Sequence, residues 1–111
     1  MDKIDFGQMY EAAGRATQLL KVLSNIDRLI LLCKIAEGEC SVSELENSLD
    51  IKQPTLSQQL GVLREEGLVK TRRDGKFIYY SISSNESLAV MQTLQEQFCK
   101  TNHNPVCSTT N

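Results

Sequence analysis

No apolar run in this sequence of 111 residues approaches the roughly 20 residues that a membrane-spanning helix needs. The N-terminal stretch MDKIDFGQMYEAAG lacks the charged segment followed by an apolar one that marks a signal peptide. Internal repeats and low-complexity tracts are absent as well. These absences argue against a membrane protein, and we expect a cytoplasmic protein with a single packed domain.

The sequence also lacks an overall excess of positive charge, which a nucleic-acid-binding protein commonly has. Its formal net charge is −2. The charge is unevenly distributed, however, because residues 51–80 hold six Lys and Arg against three acidic residues, whereas the rest of the chain holds six against eleven. The positive charge is therefore local, as a surface that faces DNA requires.

Four cysteines are present, Cys33, Cys40, Cys99 and Cys107. Permanent disulfides are rare in a reducing cytoplasm. We therefore expect that any bond between these thiols forms only under particular conditions.

Two helices are predicted in the first third of the chain. The first, from Met9 to Leu23, has an apolar stripe formed by Ala12, Ala16, Leu19, Leu20 and Leu23. Ser24 can cap the second helix, which Gly38 ends. Its apolar face comprises Ile26, Leu29, Ile30, Cys33 and Ala36. Cys33 is thus expected to point into the core.

The segment SVSELENSLDI predicts a short third helix, capped by Ser41 or Ser43, with Leu45 and Leu49 on its buried side. Pro54 then fits the first turn of a fourth helix, where its missing N–H costs nothing. Together these two helices form a helix-turn-helix.

The fourth helix has one apolar and one polar face. Leu56, Leu60 and Leu63 repeat at i, i+4 and i+7 and predict its buried side. Amides and hydroxyls occupy the other side: Thr55 and Gln58 point away from the core, flanked by Gln53, Ser57 and Gln59. Such a helix is anchored by leucines and presents hydrogen-bonding groups outward.

The segment GLVKTRRDGKFIYYSIS predicts a β-hairpin, with Asp74-Gly75 as its turn dipeptide. The tip of this hairpin carries Arg72, Arg73 and Lys76. A last helix from Asn85 to Lys100 has Leu88, Met91, Leu94 or Gln95, and Phe98 in register.

The predicted order of elements is α-α-α-α-β-β-α, a mainly α fold with a β-hairpin. Residues 1–8 are expected to form an N-terminal arm, residues 9–100 a single folded domain, and residues 101–111 a flexible tail.

This order of elements suits B-DNA. The fourth helix fits the major groove, where amides such as Gln58 can make paired hydrogen bonds to adenine edges. Arg72, Arg73 and Lys76 can reach phosphates or the adjacent minor groove. The alternative is a helical domain whose hairpin and charges are merely solvated.

Two stretches carry a family resemblance, LKVLSNIDRLILLCKI and CSVSELENSLDIKQPTLSQQLGVLREEGLVKTRRDGKFIYYSI. They resemble the ArsR/SmtB family of bacterial winged-helix repressors, over roughly residues 15–100. The resemblance implies a winged helix-turn-helix and a homodimer, held by its first and last helices, that binds inverted-repeat operator DNA until an inducer binds. The apolar stripes of those two helices are compatible with this, and Leu19, Leu88, Met91 and Phe98 are the expected interface residues.

The sequence departs from the family's metal sensors. Those proteins often carry a Cys-x-Cys pair at the start of the third helix, where Ser41 and Ser43 stand here, one residue after Cys40. Other members bind zinc through histidines of the last helix, whereas His103 is the one histidine in this sequence. We therefore expect neither a metal nor a cofactor.

Cys33 and Cys99 stand where the dithiol subgroup of this family carries its two thiols. That subgroup comprises sulfide- and biofilm-linked repressors and a haemolysin-regulating relative. In it the two thiols become linked by a disulfide or a polysulfide, and DNA affinity falls. The resemblance thus implies that Cys33 and Cys99 sense reactive sulfur species or oxidants. The alternative for Cys33 is a purely structural role, since buried cysteines are often small hydrophobes.

Two other functions are considered. Cys99, His103 and Cys107 have a C-x3-H-x3-C spacing that could serve a metal-responsive repressor, although a fourth ligand would be needed. The second alternative is a cysteine-dependent enzyme with Cys99 as nucleophile and His103 as base. Nothing in the sequence indicates an oxyanion hole, so we expect no enzyme. Cys40 is expected in a loop and Cys107 in the tail, both exposed to oxidants.

Overall fold

The computed structural model describes residues 5–99. In chain order the elements are α1 (Phe6–Leu23), α2 (Ile26–Glu37), β1 (Cys40–Ser41), α3 (Val42–Ser48), α4 (Thr55–Glu65), β2 (Val69–Asp74), β3 (Phe77–Ile82) and α5 (Asn85–Phe98). The predicted mainly α fold with a hairpin is confirmed, with one additional short strand. Over the described range, the helices fall short of the length and apolar character needed to cross a membrane.

Helix α1 begins at Phe6, three residues before the predicted start at Met9. Asp5 is the reason, because its carboxylate accepts a hydrogen bond from the Gln8 backbone N–H at 2.7 Å and so caps the helix. The last three residues of the predicted N-terminal arm are therefore helical. Residues 1–4, like the predicted tail at 101–111, lie outside the described range.

Helix α2 corrects two predictions. Its N-cap is Asn25 and not Ser24, since the Asn25 side chain accepts from the Arg28 N–H at 3.0 Å. Its buried residues are Leu31, Leu32, Cys33 and Ile35, whereas Ile26 is 74% exposed. The segment is apolar nearly all round, so its spacing alone did not single out the buried face. Gly38 ends the helix as predicted.

The helix-turn-helix forms as expected. Ser41 caps α3 in a capping box with Glu44, in which each side chain accepts a hydrogen bond from the other's backbone N–H. In α4, Leu56, Leu60 and Leu63 are all at most 1% exposed. Helix α4 packs against α2 and β2, so its leucines fix it to the core.

The sheet has the order β1-β3-β2, with antiparallel pairs. Asp74 pairs with Phe77, which leaves Gly75 and Lys76 as the two turn residues. Gly75 has a φ of 65°, a conformation that favours glycine at this position of a tight hairpin. The turn is therefore displaced by one residue from the predicted dipeptide, and the paired strands form the wing.

Strand β1 was not predicted. Cys40 pairs with Tyr80 and Ser41 with Tyr79, which adds a third strand beside β3. The expectation of an exposed loop at Cys40 is wrong, because pairing on β3 buries this residue to 7% exposure.

The core lies between α2, α4, α5 and the sheet. Its buried apolar residues are Val22, Leu23, Leu31, Leu32, Cys33, Ile35, Cys40, Leu45, Ile51, Leu56, Leu60, Leu63, Leu68, Val69 and Met91. Helix α1 contributes only its last two residues, so most of its length lies outside this core.

Candidate nucleic-acid interface

Helix α4 presents a polar face to solvent. Ser57 and Gln58 are exposed, one on each side of the line opposite the buried leucines, and Thr55 is half-buried beside them. The backbone that carries these groups is held by Leu56 and Leu60 on the inner face. The exposed amide of Gln58 therefore projects from a fixed helix, as base recognition in a major groove requires.

Gln53 completes the start of α4. Pro54 occupies the N-cap position and has no side-chain cap, whereas the Gln53 amide oxygen accepts from the Ser57 N–H at 3.2 Å and from its hydroxyl at 2.7 Å. Gln53 and Ser57 thus share a contact that satisfies a helix N–H group. The predicted DNA-binding residues Gln53 and Ser57 are both exposed, and this contact gives them a second role in ordering the helix end.

Gln59 differs from its neighbour Gln58. Its side chain is half-buried, and its amide oxygen accepts a hydrogen bond from Arg28 Nη1 at 2.8 Å. The expectation that Gln59 flanks the outward face therefore needs correction. Its oxygen is directed toward α2 because the 100° step of the helix turns this position away from Gln58.

Arg72 does not lie at the tip of the wing as expected. It pairs with Tyr79 within the sheet, and its guanidinium binds both carboxylate oxygens of Glu39 at 2.7 and 2.9 Å. The same guanidinium lies 4.6 Å from the centre of the Tyr79 ring. The hydrogen bonds that Arg72 donates to Glu39 hold the pKa of the Glu39 carboxyl below its usual value and raise the pKa of Arg72. Arg72 thus clamps the middle of the wing to Glu39.

Arg73 and Lys76 remain exposed near the turn, with Lys76 Nζ 5.9 Å from the centre of the Phe77 ring. Lys70 is exposed on the same strand as Arg73. These cations are the wing's available groups for phosphate, and Lys70 was not among the predicted contacts.

Cys33 and Cys99 lie on two elements that contact each other. Cys33 is buried in α2 at 4% exposure, and Cys99 is the partly exposed C-cap of α5. Helices α2 and α5 pack together. His103 and Cys107, the other members of the alternative metal cluster, lie outside the described residues.

Cys40 is the third described cysteine and has a different environment. Its thiol donates to the Gly38 carbonyl oxygen at 3.2 Å, and burial raises its pKa above the usual value. A raised pKa lowers the thiolate fraction at neutral pH. The expectation that Cys40 is readily oxidised is therefore not supported by its surroundings.

Residues 5–99 contain no group of three or more His, Cys, Asp or Glu placed to hold a metal ion. Ser41, which stands where metal sensors carry a cysteine, instead caps α3 and is buried.

The predicted interface residues have unequal surroundings. Phe98 is 73% exposed, and Leu19 and Leu88 are partly buried. Met91 is 1% exposed within the single chain and belongs to its own core, so its side chain offers no surface to a partner. Leu20, also on α1, is 59% exposed.

The model of the bacterial regulatory proteins of the arsR family matches residues 26–71, which span α2 to the first half of the wing. The biofilm growth-associated repressor of Agrobacterium fabrum is 46% identical over 102 residues, 92% of this chain and 87% of the relative. The chain belongs to the arsR family. It is thus a DNA-binding regulator of transcription.

Solved structures of two similar proteins have the same fold. The transcriptional repressor BigR from Xylella fastidiosa matches with a TM-score of 0.80 and 46% identity, over 86% of this chain and 98% of that one. Reduced HlyU from Vibrio cholerae matches with a TM-score of 0.78 and 38% identity, over 82% and 96%. These similarities confirm the winged helix-turn-helix. The relatives are regulators and not enzymes, in agreement with the expectation from sequence.

Two side chains of the site were missed by sequence reasoning. Glu39, which holds Arg72, gave no signal, because their contact joins positions 33 residues apart. Arg28, which holds Gln59, gave none either, because it is one of four charged residues in α2 and its contact with Gln59 joins positions 31 residues apart.

Proposed function

We propose that the chain is a homodimeric repressor that binds an inverted-repeat operator through α4 and the wing. We further propose that linkage of Cys33 to Cys99 by reactive sulfur species or oxidants lowers its affinity for that operator. The observation that carries the DNA-binding part is the face of α4, with leucines buried and Gln58 exposed. The exposed cations Lys70, Arg73 and Lys76 add the charge that phosphate contacts need.

A mainly apolar cleft between α1 and α5 supports the dimer. It has a volume of about 550 Å³, and it is lined by apolar residues such as Ala12, Leu19 and Val90 and also by the charged Arg15 and Glu66. A second copy seated there would also cover neighbouring apolar surface. The exposed large apolar residues of α1 and α5 are Phe6, Met9, Tyr10, Leu20 and Phe98. A two-fold dimer places two reading helices about one DNA turn apart, ~34 Å.

The thiol switch is supported by the placement of the two cysteines. Cys33 lies in the core on α2, and Cys99 ends α5, which contacts α2. A bond between them would connect the proposed dimer helix to the helix that supports α4. A direct disulfide needs Cα atoms within roughly 7 Å, and one or two inserted sulfur atoms span a longer gap. One similar solved structure is the reduced form of HlyU, a relative with 38% identity.

The test compares operator release by cysteine variants after addition of an organic polysulfide. Cys33→Ser and Cys99→Ser should bind DNA like the reduced parent and stay bound, whereas Cys40→Ser and Cys107→Ser should release. For the parent, a coupling of about 1–3 kcal/mol between thiol state and DNA binding is expected. Normal release by Cys33→Ser would contradict the switch.

Intact-mass measurement identifies the linkage. A disulfide removes about 2 Da, and each inserted sulfur adds roughly 32 Da. Zinc bound per protomer under reducing conditions separates the metal-responsive alternative. A metal site with His103 and Cys107 would be favoured over the thiol switch by two results together. The parent would bind stoichiometric zinc that Cys99→Ser loses, and removal of that zinc would alter DNA affinity.

A further inference from the structure

Arg28 joins three helices at a point behind the reading face. It is the third residue of α2 and is half-buried. Its Nε donates to the Val22 carbonyl oxygen at 2.6 Å and its Nη2 to that of Lys21 at 3.4 Å. Its Nη1 donates to Gln59 Oε1 at 2.8 Å. One guanidinium thus contacts the end of α1 and the middle of α4.

The two carbonyl contacts have a clear physical basis. Lys21 and Val22 lie in the last turn of α1, where carbonyl groups lack the usual helical N–H four residues on, although the Ser24 N–H reaches the Lys21 oxygen at 3.3 Å. A positive charge at a helix C-terminus is also favoured by the helix dipole. Arg28 therefore satisfies and stabilises the end of α1.

The contact with Gln59 restrains the rotation of α4 about its own axis, which its leucines do not. Leu56, Leu60 and Leu63 hold the helix against the core, but apolar contacts are non-directional. A hydrogen bond from a charged donor is directional and stronger than one between neutral groups. Gln59 precedes Leu60 and follows the exposed Gln58, so holding its amide restrains rotation of the reading face about the helix axis.

We propose that Arg28 is a positioning residue for operator recognition. It ties Gln59 to the end of α1 and so sets the orientation in which α4 presents Gln58. The discrimination between operator and other DNA then depends on the Arg28–Gln59 pair although neither residue contacts DNA. This inference rests on the proposed function, because it assumes that α4 reads the operator.

The experiment measures affinity for two duplexes. One is a sequence selected in vitro by the parent protein, and the other is a shuffled duplex of equal length and composition. Arg28→Lys keeps the charge but loses the planar set of donors that reaches both helices. Gln59→Met keeps the volume but removes the acceptor. Each should lower the ratio of the two affinities, by roughly 5- to 150-fold if the pair carries a typical coupling.

The double variant decides whether the residues act together. If they form one unit, the double variant Arg28→Lys with Gln59→Met should lower the affinity ratio no further than the single variant that lowers it more. The dependence of binding on salt should equal that of the parent, since no phosphate contact is removed. Gln59→Glu keeps an acceptor for Arg28, so it should retain the affinity ratio while weakening binding to both duplexes through its charge.

Lys34→Gln is the matched control on α2, because it removes a cation that pairs with Glu37 at the surface. It should leave the affinity ratio unchanged. If the losses of affinity ratio in the two single variants multiply in the double variant, the proposal is overturned. Gln59 would then be a direct base contact. A parental ratio in Arg28→Lys would overturn it as well. If that variant melts below the assay temperature, Gln59→Met and Gln59→Glu still decide between the outcomes.

Failure of the proposed function would have a different signature. A parent protein that selects no preferred sequence contradicts operator reading itself. A parent that selects a sequence, with variants that retain the ratio, contradicts only the role of Arg28.

Discussion

Ser87 lies on the inner face of α5 and is 0% exposed, one helical turn before the buried Met91. Within the described chain, its hydroxyl has no hydrogen-bond partner. A buried hydroxyl without a partner loses its hydration and gains nothing in return. We therefore expect Ser87→Ala to stabilise the protein by about 1 kcal/mol, with a further small gain from the helix propensity of alanine.

Urea unfolding of Ser87→Ala measures this change. Ser83→Ala is the matched control, because the Ser83 hydroxyl donates to the Gly67 carbonyl oxygen at 2.8 Å. That variant should be no more stable than the parent. Destabilisation by Ser87→Ala would mean that the hydroxyl is satisfied in solution.

Gln58 and Arg73 should contribute to DNA binding in different ways. Gln58→Ala removes an exposed amide from α4 and should cost about 1–3 kcal/mol of discrimination at one position of each half-site. Arg73→Ala should weaken binding to all sequences and reduce the salt slope by about one. Binding to a panel of single-base variants, repeated at several salt concentrations, separates the two effects. An unchanged preference in Gln58→Ala would place the reading residue elsewhere on α4.

At the scale of elements, the wing is held to the body of the protein by Glu39 and Arg72. Glu39 precedes β1, and its carboxylate binds the guanidinium of Arg72 in β2 through two hydrogen bonds. Arg73, the next residue on the same strand, is left exposed toward solvent. The clamp thus orders the middle of the wing, while Arg73 and Lys76 nearer the turn remain exposed.

This clamp predicts a pH-dependent contribution to stability. The hydrogen bond from Arg72 lowers the pKa of Glu39 in the folded protein. The contribution is therefore complete above the pKa of an unfolded glutamate, about 4.3, and is lost as the pH falls through the lowered pKa. Glu39→Gln should melt slightly below the parent at pH 7, and the difference should shrink in acid. Glu46→Gln, an equal charge change on α3, should show no such trend.

The elements were predictable from the sequence to different degrees. In α4, Leu56, Leu60 and Leu63 recur at helical spacing, and all three are buried as predicted. Strand β1 has two residues, too few for any periodicity, and it exists because Cys40 and Ser41 pair with β3, some 40 residues further along the chain. Local pattern thus identified the reading helix, whereas pairings between distant segments had to come from the structure.

The same distinction applies to the candidate site. The exposure of Gln58 followed from its place opposite the leucines. The inward contact of Gln59 did not, because it depends on Arg28, 31 residues earlier. Arg72 was expected at the wing tip since its neighbours are cationic, but its contact with Glu39 is also long-range.

At the scale of the whole molecule, α1 is the helix with the largest share of exposed residues. Only Val22 and Leu23 of its 18 residues are buried, whereas Phe6 and Tyr10 are 75% and 78% exposed. A helix this exposed and this apolar is expected to be covered by another surface. The same helix also lines the cleft between α1 and α5 through Ala12, Ala16 and Leu19, and a second copy of the chain is the proposed cover.

Leu20→Glu tests this dimer without disturbing the core. Leu20 is 59% exposed, so the variant protomer should fold, while a charge in the apolar contact should shift the protein to monomer. A glutamate at Met91 would test something else, because Met91 is buried and its replacement should unfold the chain.

Sedimentation at low micromolar concentration gives the state of association, and circular dichroism verifies the fold. Asn47→Glu, with an added charge on α3, should remain dimeric. Because each protomer provides one reading helix and one wing, the Leu20→Glu monomer should lose most of its operator affinity yet keep weak binding to a single half-site. A monomeric parent that binds the full operator tightly would contradict the proposed assembly.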